Sequence, residues 1–99
     1  MVKIIVGYKL KEGADFGPIL RRLRSQAMQS PGFVSAENLI SEQNYHIIAL
    51  ESTWERIEDW REWEKSKIRQ DIIRQALPLL AEEPRVTTYK IIPTIKWVG

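Results

Sequence analysis

Ser52-Thr53-Trp54-Glu55-Arg56-Ile57-Glu58-Asp59-Trp60-Arg61-Glu62-Trp63-Glu64-Lys65-Ser66 places three of the chain's four tryptophans within ten positions. An indole buries roughly 150–250 Å² and keeps one N–H donor, so three together mark a core, a pocket wall or an interface. Ile57, Trp60 and Trp63 recur at i, i+3 and i+6, one face of a helix, whereas Trp54 sits where an apolar strand gives way to acidic residues. Between them Glu55, Glu58, Asp59 and Glu62 alternate with Arg56, Arg61 and Lys65 at helical spacing, which reads as a solvent-side run of charge pairs rather than a carboxylate dyad. The stretch is therefore the end of a strand followed by an amphipathic helix.

Upstream, Tyr45 to Thr53 read as a strand with two apolar faces: Ile47 and Ala49 point one way, and His46, Ile48 and Leu50 the other. Phe33 to Ser41 form an extended segment that reaches it through the polar turn Glu42-Gln43-Asn44, a β-hairpin. Pro31-Gly32 ends the preceding helix, which Asp15 can cap, Pro18 enters in its tolerant first turn, and Phe16, Leu20, Leu23 and Ala27 stripe. Arg21, Arg22, Arg24 and Gln26 take its outer surface. Val2, Ile4, Val6, Tyr8 and Leu10 alternate with Lys3, Ile5, Gly7 and Lys9 as the first strand, closed by Lys11-Glu12-Gly13. Downstream, Ser66 caps a second helical stretch in which Ile68, Ile72, Ala76 and Leu79 form a stripe widened by Ile73, Leu77 and Leu80, and Pro78 kinks or ends it. Arg85 to Ile92 make the last strand, followed by Pro93 and a short tail carrying Trp97.

The order β-α-β-β-α-β with right-handed crossovers puts both helices on one face of a four-stranded antiparallel sheet. The expected fold is α+β and ferredoxin-like, one domain over residues 1–99 with its core in 2–92 and a tail in 93–99. The opposite sheet face, with Ile5, Leu39, Ile47, Ala49 and Phe33 or their neighbours, would expose several hundred Å² of apolar surface in a monomer. A homodimer paired through that face removes the exposure.

Composition bounds the chemistry. With no cysteine and one histidine in 99 residues, neither a disulfide nor a thiolate nucleophile nor a typical zinc site can form, and no metal site is expected. No glycine-rich phosphate loop is present. A net charge of +2, from 15 basic and 13 acidic residues spread along the chain, does not point to nucleic acid, and the Arg21, Arg22, Arg24 cluster reads as a solvated helix face. No run approaches the roughly 18 apolar residues of a membrane span, which predicts a cytoplasmic chain with no membrane partner.

Pro31-Gly32-Phe33 followed by Glu37, then Thr53-Trp54-Glu55 with Asp59, Trp60, Trp63 and Ser66, resemble the antibiotic biosynthesis monooxygenase family across residues 2–92. The resemblance implies a dimeric α+β barrel of ferredoxin-like subunits. Members include cofactor-independent oxygenases of quinone precursors, haem-degrading enzymes, small aldehyde- or signal-associated proteins and others of no known activity. The haem-degrading branch ligates iron with a histidine about ten positions after the tryptophan corresponding to Trp63, and uses an asparagine on the first strand. Here those places hold Ile73 and Val6-Gly7-Tyr8, and isoleucine has no lone pair to give iron, so no haem and no other cofactor is expected.

The quinone-oxidising branch implies an asparagine and a tyrosine beside the pocket tryptophan, where this chain offers Asp59 and Arg69. Oxygenation without a cofactor needs a substrate able to form an enolate, a group to take its proton and donors to hold the anion. The candidates are His46 as base, Asn38 as donor and Arg69 as anion holder, with Trp63, Trp60 and Tyr8 lining a ligand pocket. Trp54 reads as structural. Two functions follow: a cofactor-independent monooxygenase of a small hydrophobic or aromatic, quinone- or anthrone-like compound, or a non-catalytic dimeric binding or assembly protein whose tryptophans complete the core. A polar cavity beside Trp63 favours the first, and a filled core the second.

Overall fold

The computed structural model describes residues 1–94, and Trp97 lies with the rest of 95–99 outside the described residues. Strand β1 (Val2–Lys9), helix α1 (Gly17–Ala27), strands β2 (Phe33–Ile40) and β3 (Ile47–Trp54), helices α2 (Ile57–Glu64) and α3 (Lys67–Ala76), a 3₁₀ turn (Leu77–Leu79) and strand β4 (Arg85–Lys90) follow in that order. The sheet runs β2-β3-β1-β4 with every neighbouring pair antiparallel. This is the ferredoxin-like arrangement that the element order predicts.

Strand alternation decides what is buried. Ile4, Val6 and Tyr8 of β1 sit opposite Ser52, Leu50 and Ile48 of β3, and Ala36 of β2 sits opposite Ser52; all are buried on the helix-bearing face. Phe16, Ile19, Leu20, Leu23 and Ala27 of the α1 region, Trp60 and Trp63 of α2, and Ile72 and Ala76 of α3 cover them. The other face carries Ile5, Ala49, Leu39, Ile47 and Tyr89, of which Leu39 and Ile47 are 41% and 44% exposed. The apolar second face expected from the sequence is thus present, with one correction. Phe33 belongs to the helix side: a β-bulge between Phe33 and Ser35 shifts the register by one residue, and Phe33 packs edge-on against Trp54 at 5.5 Å.

Other boundaries move for local reasons. The Asp15 carboxylate accepts from the Gly17 backbone N–H at 3.1 Å, but the helix boundary itself falls on Phe16, with Pro18 in the first turn. β3 begins at Ile47, because Asn44 accepts from the His46 and Ile47 backbone N–H groups and holds His46 in the hairpin turn. β4 stops at Lys90, short of Ile92. In α3 the stripe is rotated: Ile68 and Leu77 are exposed, and the buried positions are Arg69, Ile72 and Ala76. Pro78 ends α3 by tightening the chain into the 3₁₀ turn.

Gly32 and Gly13 share a left-handed backbone, with φ of +80° and +78°, but differ in surroundings: a Cβ on Gly32 would collide with the Asp59 carboxyl, while one on Gly13 meets nothing within 4 Å. Gly13→Ala is expected to cost about 1 kcal/mol from backbone strain alone. Gly32→Ala is expected to cost about 3 kcal/mol, since α2 must also shift, and thermal melts of the two variants should differ by roughly 10 °C.

Candidate functional site

Between the helices and the sheet, β1, β3, α2 and α3 converge on one small cavity. Tyr8 reaches it from β1 because it shares the inward parity of Ile4 and Val6, and Ser52 reaches it from β3 for the same reason. Trp60 and Trp63 close it from α2, three residues apart and therefore on one face of the helix. Arg69 enters from the first turn of α3. The Ser66 hydroxyl caps that helix by accepting from the Arg69 backbone N–H at 3.2 Å, so the residue that starts the helix also sets where the arginine points.

The Arg69 guanidinium is held by three contacts. Its Nη1 donates to the Glu64 carbonyl at 3.4 Å, its carbon lies 5.2 Å from the centre of the Trp60 ring, and it neighbours the Tyr8 phenol. Arg69 is only 8% exposed. Burial pushes the Tyr8 phenol up to about 12, with the Arg69 charge and its hydrogen bonding pulling the other way. At neutral pH Tyr8 is therefore a donor and not a base. Ser52 already accepts from the Trp54 indole at 2.9 Å and keeps its own hydroxyl proton for the cavity.

The enclosed space is about 10 Å³, room for about one water. Trp63 separates it from an outer groove of about 240 Å³ lined by Ser30, Pro31, Asp59, Glu62 and Ser66. A larger groove of about 440 Å³ lies between α1 and α3, but its charged residues Arg21, Arg22 and Asp71 are exposed or half-buried, and among the described residues only the apolar Ile72 in its lining is buried.

Of the six candidates from sequence, Tyr8, Trp60, Trp63 and Arg69 meet at this cavity. His46 and Asn38 do not. His46 is exposed in the β2–β3 turn. Asn38 is paired with Leu50 on the helix side of β2 but exposed, and the residue of that strand that lines the cavity is Ala36. Sequence reasoning missed Ser52, which strand parity with Leu50 and Trp54 would have found, and Arg24, whose place at the cavity's outer wall has no signal in the α1 pattern.

No protein-family model and no curated protein matches the chain. Solved structures do. An antibiotic biosynthesis monooxygenase superposes with a TM-score of 0.83 at 14% identity, covering 94% of this chain and all of that one. Rv0793 from Mycobacterium tuberculosis gives 0.83 at 16% identity over 93% of this chain and 95% of its own. SnoaB, a cofactor-independent oxygenase from Streptomyces nogalater, seen there as a mutant, gives 0.82 at 14% identity over 97% of both chains. The chain therefore has the fold of the antibiotic biosynthesis monooxygenase structures. The haem that some proteins of this fold hold does not suit these residues: among the described residues the cavity wall offers no imidazole, thiolate or thioether, its phenol Tyr8 is held protonated, and Ile73 is a hydrocarbon.

The Tyr8 shift has a stability consequence. Because the folded phenol ionises above the unfolded one, the unfolded chain loses its proton first as pH rises, and folding is weakened between pH 10 and 12 by up to roughly 2–3 kcal/mol. Tyr8→Phe is expected to remove this part of the alkaline unfolding limb, measured by denaturant titration at several pH values.

Proposed function

We propose that this chain is a cofactor-independent monooxygenase that takes a small, flat, hydrophobic or aromatic compound into the cavity between helices and sheet. The observation that supports the reading is the meeting of Trp60, Trp63, Tyr8 and Arg69 in a cavity of the fold that SnoaB also has. The indoles supply ring-stacking surface, and Arg69 and Tyr8 supply donors for an enolate or phenolate oxygen. For an anthrone-like substrate the balance is one CH₂ and one O₂ giving one carbonyl and one water. The substrate carbanion passes electrons to O₂ and combines with it, and the resulting hydroperoxide loses water. The protein holds the anion and keeps bulk water out. A ring fits only when the Trp63 side chain swings out and joins the inner space to the 240 Å³ groove.

The same reading makes the active form a homodimer through the open sheet face, where Ile5, Leu39, Ile47 and Ala49 form the apolar centre. A second reading draws on the small size of the cavity. At about 10 Å³ the core is nearly filled, which suits a non-catalytic dimeric binding or assembly protein in which the tryptophans are packing residues.

Oxygen consumption with anthrone, in buffer freed of metals, distinguishes them. Catalysis predicts uptake above the uncatalysed rate, lowered roughly 10²–10³-fold in Arg69→Met, the usual cost of losing one oxyanion donor, and a KM raised a few-fold in Trp63→Phe. No uptake with anthrone or related hydroxyarenes would leave the assembly reading standing. By sedimentation at micromolar concentration the wild type is expected near twice the 11.6 kDa of one chain, and Leu39→Glu with Ile47→Glu near the single-chain mass.

A further inference from the structure

Arg69 is a charge without a counter-charge among the described residues. None of the ion pairs among the described residues involves it, although it is 8% exposed and a guanidinium cannot lose its proton. Of its five N–H donors one is spent on the Glu64 carbonyl and a second approaches Tyr8. Buried cations are normally paired, because an isolated one gives up hydration that nothing returns. Arg24, an exposed residue of α1, also lines the cavity's outer wall and is likewise in no ion pair among the described residues. Among the described residues no carboxylate or imidazole lines the space, so none of them offers Arg69 a counter-charge or the ligand a base there.

Resting on the cavity reading above, we propose that the ligand of this site is an aromatic monoanion, a carboxylate, acidic phenol or stabilised enol that is already ionised in water, and that its anionic oxygen pairs with Arg69. The ring lies against Trp60 and Trp63, the charged oxygen accepts from the guanidinium and from the Tyr8 hydroxyl, and Arg24 draws the anion towards the opening. With no base facing the ligand, a weak carbon acid such as anthrone reacts only through the fraction already ionised in water, and a compound fully ionised there binds best. Arg69 then fixes specificity.

The test compares 2-naphthoate with its neutral near-isostere 2-naphthamide by isothermal calorimetry at pH 7, on wild type, Arg69→Met and Arg69→Lys. Wild type is expected to bind naphthoate at least tenfold more tightly. Arg69→Met should bind both equally and melt no lower than wild type, because it removes an unpaired buried charge; a structural arginine would melt lower when replaced. Arg69→Lys should keep part of the preference, and serves if Arg69→Met does not fold. Equal affinity of wild type for both probes would overturn the anion inference and leave the aromatic cavity intact. Binding of neither would overturn both.

Discussion

The buried end of β3 fixes the geometry on which the site depends. Trp54 is fully buried, donates its indole N–H to Ser52, and meets Phe33 edge-on at 5.5 Å and Trp60 at 6.0 Å. Burying one indole is worth roughly 4–6 kcal/mol at 25 cal/mol per Å², comparable to the net stability of a small domain. The next residue is tied as well, since the Glu55 N–H donates to the Gly32 carbonyl at 2.8 Å, and the Asp59 carboxyl fills the space a side chain on Gly32 would need. With strand end, loop and helix start fixed against one another, α2 can leave the sheet in one direction only. That direction lays Trp60 and Trp63 over Tyr8 and Ser52. Phe33, Trp54, Trp60 and the Arg69 guanidinium then form a column running from the β2 edge to the cavity.

Much of this was legible because strands and helices carry their own periods. Tyr8 is buried since every second residue of β1 is apolar, and Ser66 reads as a cap because a hydroxyl precedes a helical stripe. What the sequence could not show were shifts of one residue. A single bulge moves Phe33 to the helix side, and an Asn44 turn takes His46 out of β3, each leaving local propensity unchanged while altering which face a side chain joins. Asn38 has the right parity but is exposed, while Ala36, two residues earlier on the same strand, is buried. Ser52 gives no signal of its own, being small and polar between Glu51 and Thr53, and only its shared parity with Leu50 and Trp54 points it inwards.

The rotation of α3 is the most instructive of these differences. A stripe of Ile68, Ile72 and Ala76 is as good a helical face as Arg69, Ile72 and Ala76, and by hydrophobicity it is the better one. Yet Ile68 faces outwards and Arg69 inwards. The phase is set by the break between α2 and α3, where the Glu64 carbonyl and the Ser66 hydroxyl hold the side chain and the backbone of Arg69. The aliphatic stem of arginine fills the space an isoleucine would have filled, and the charged end reaches the cavity.

Burying a cation and exposing an isoleucine both run against the hydrophobic effect, and a fold tolerates such exceptions chiefly where another requirement overrides packing. The open sheet face is an exception of the opposite kind, with Leu39 and Ile47 apolar yet left to solvent. The two differ in the partner that would relieve them. Exposed apolar area is relieved by any surface of matching shape, because the hydrophobic effect is non-directional, and β-sheet pairing with an identical face suffices. A buried guanidinium is relieved only by an anion in bonding geometry, which makes it the more selective feature of the molecule. On the readings proposed above, the sheet face would decide whether chains assemble, and Arg69 which molecule they would hold.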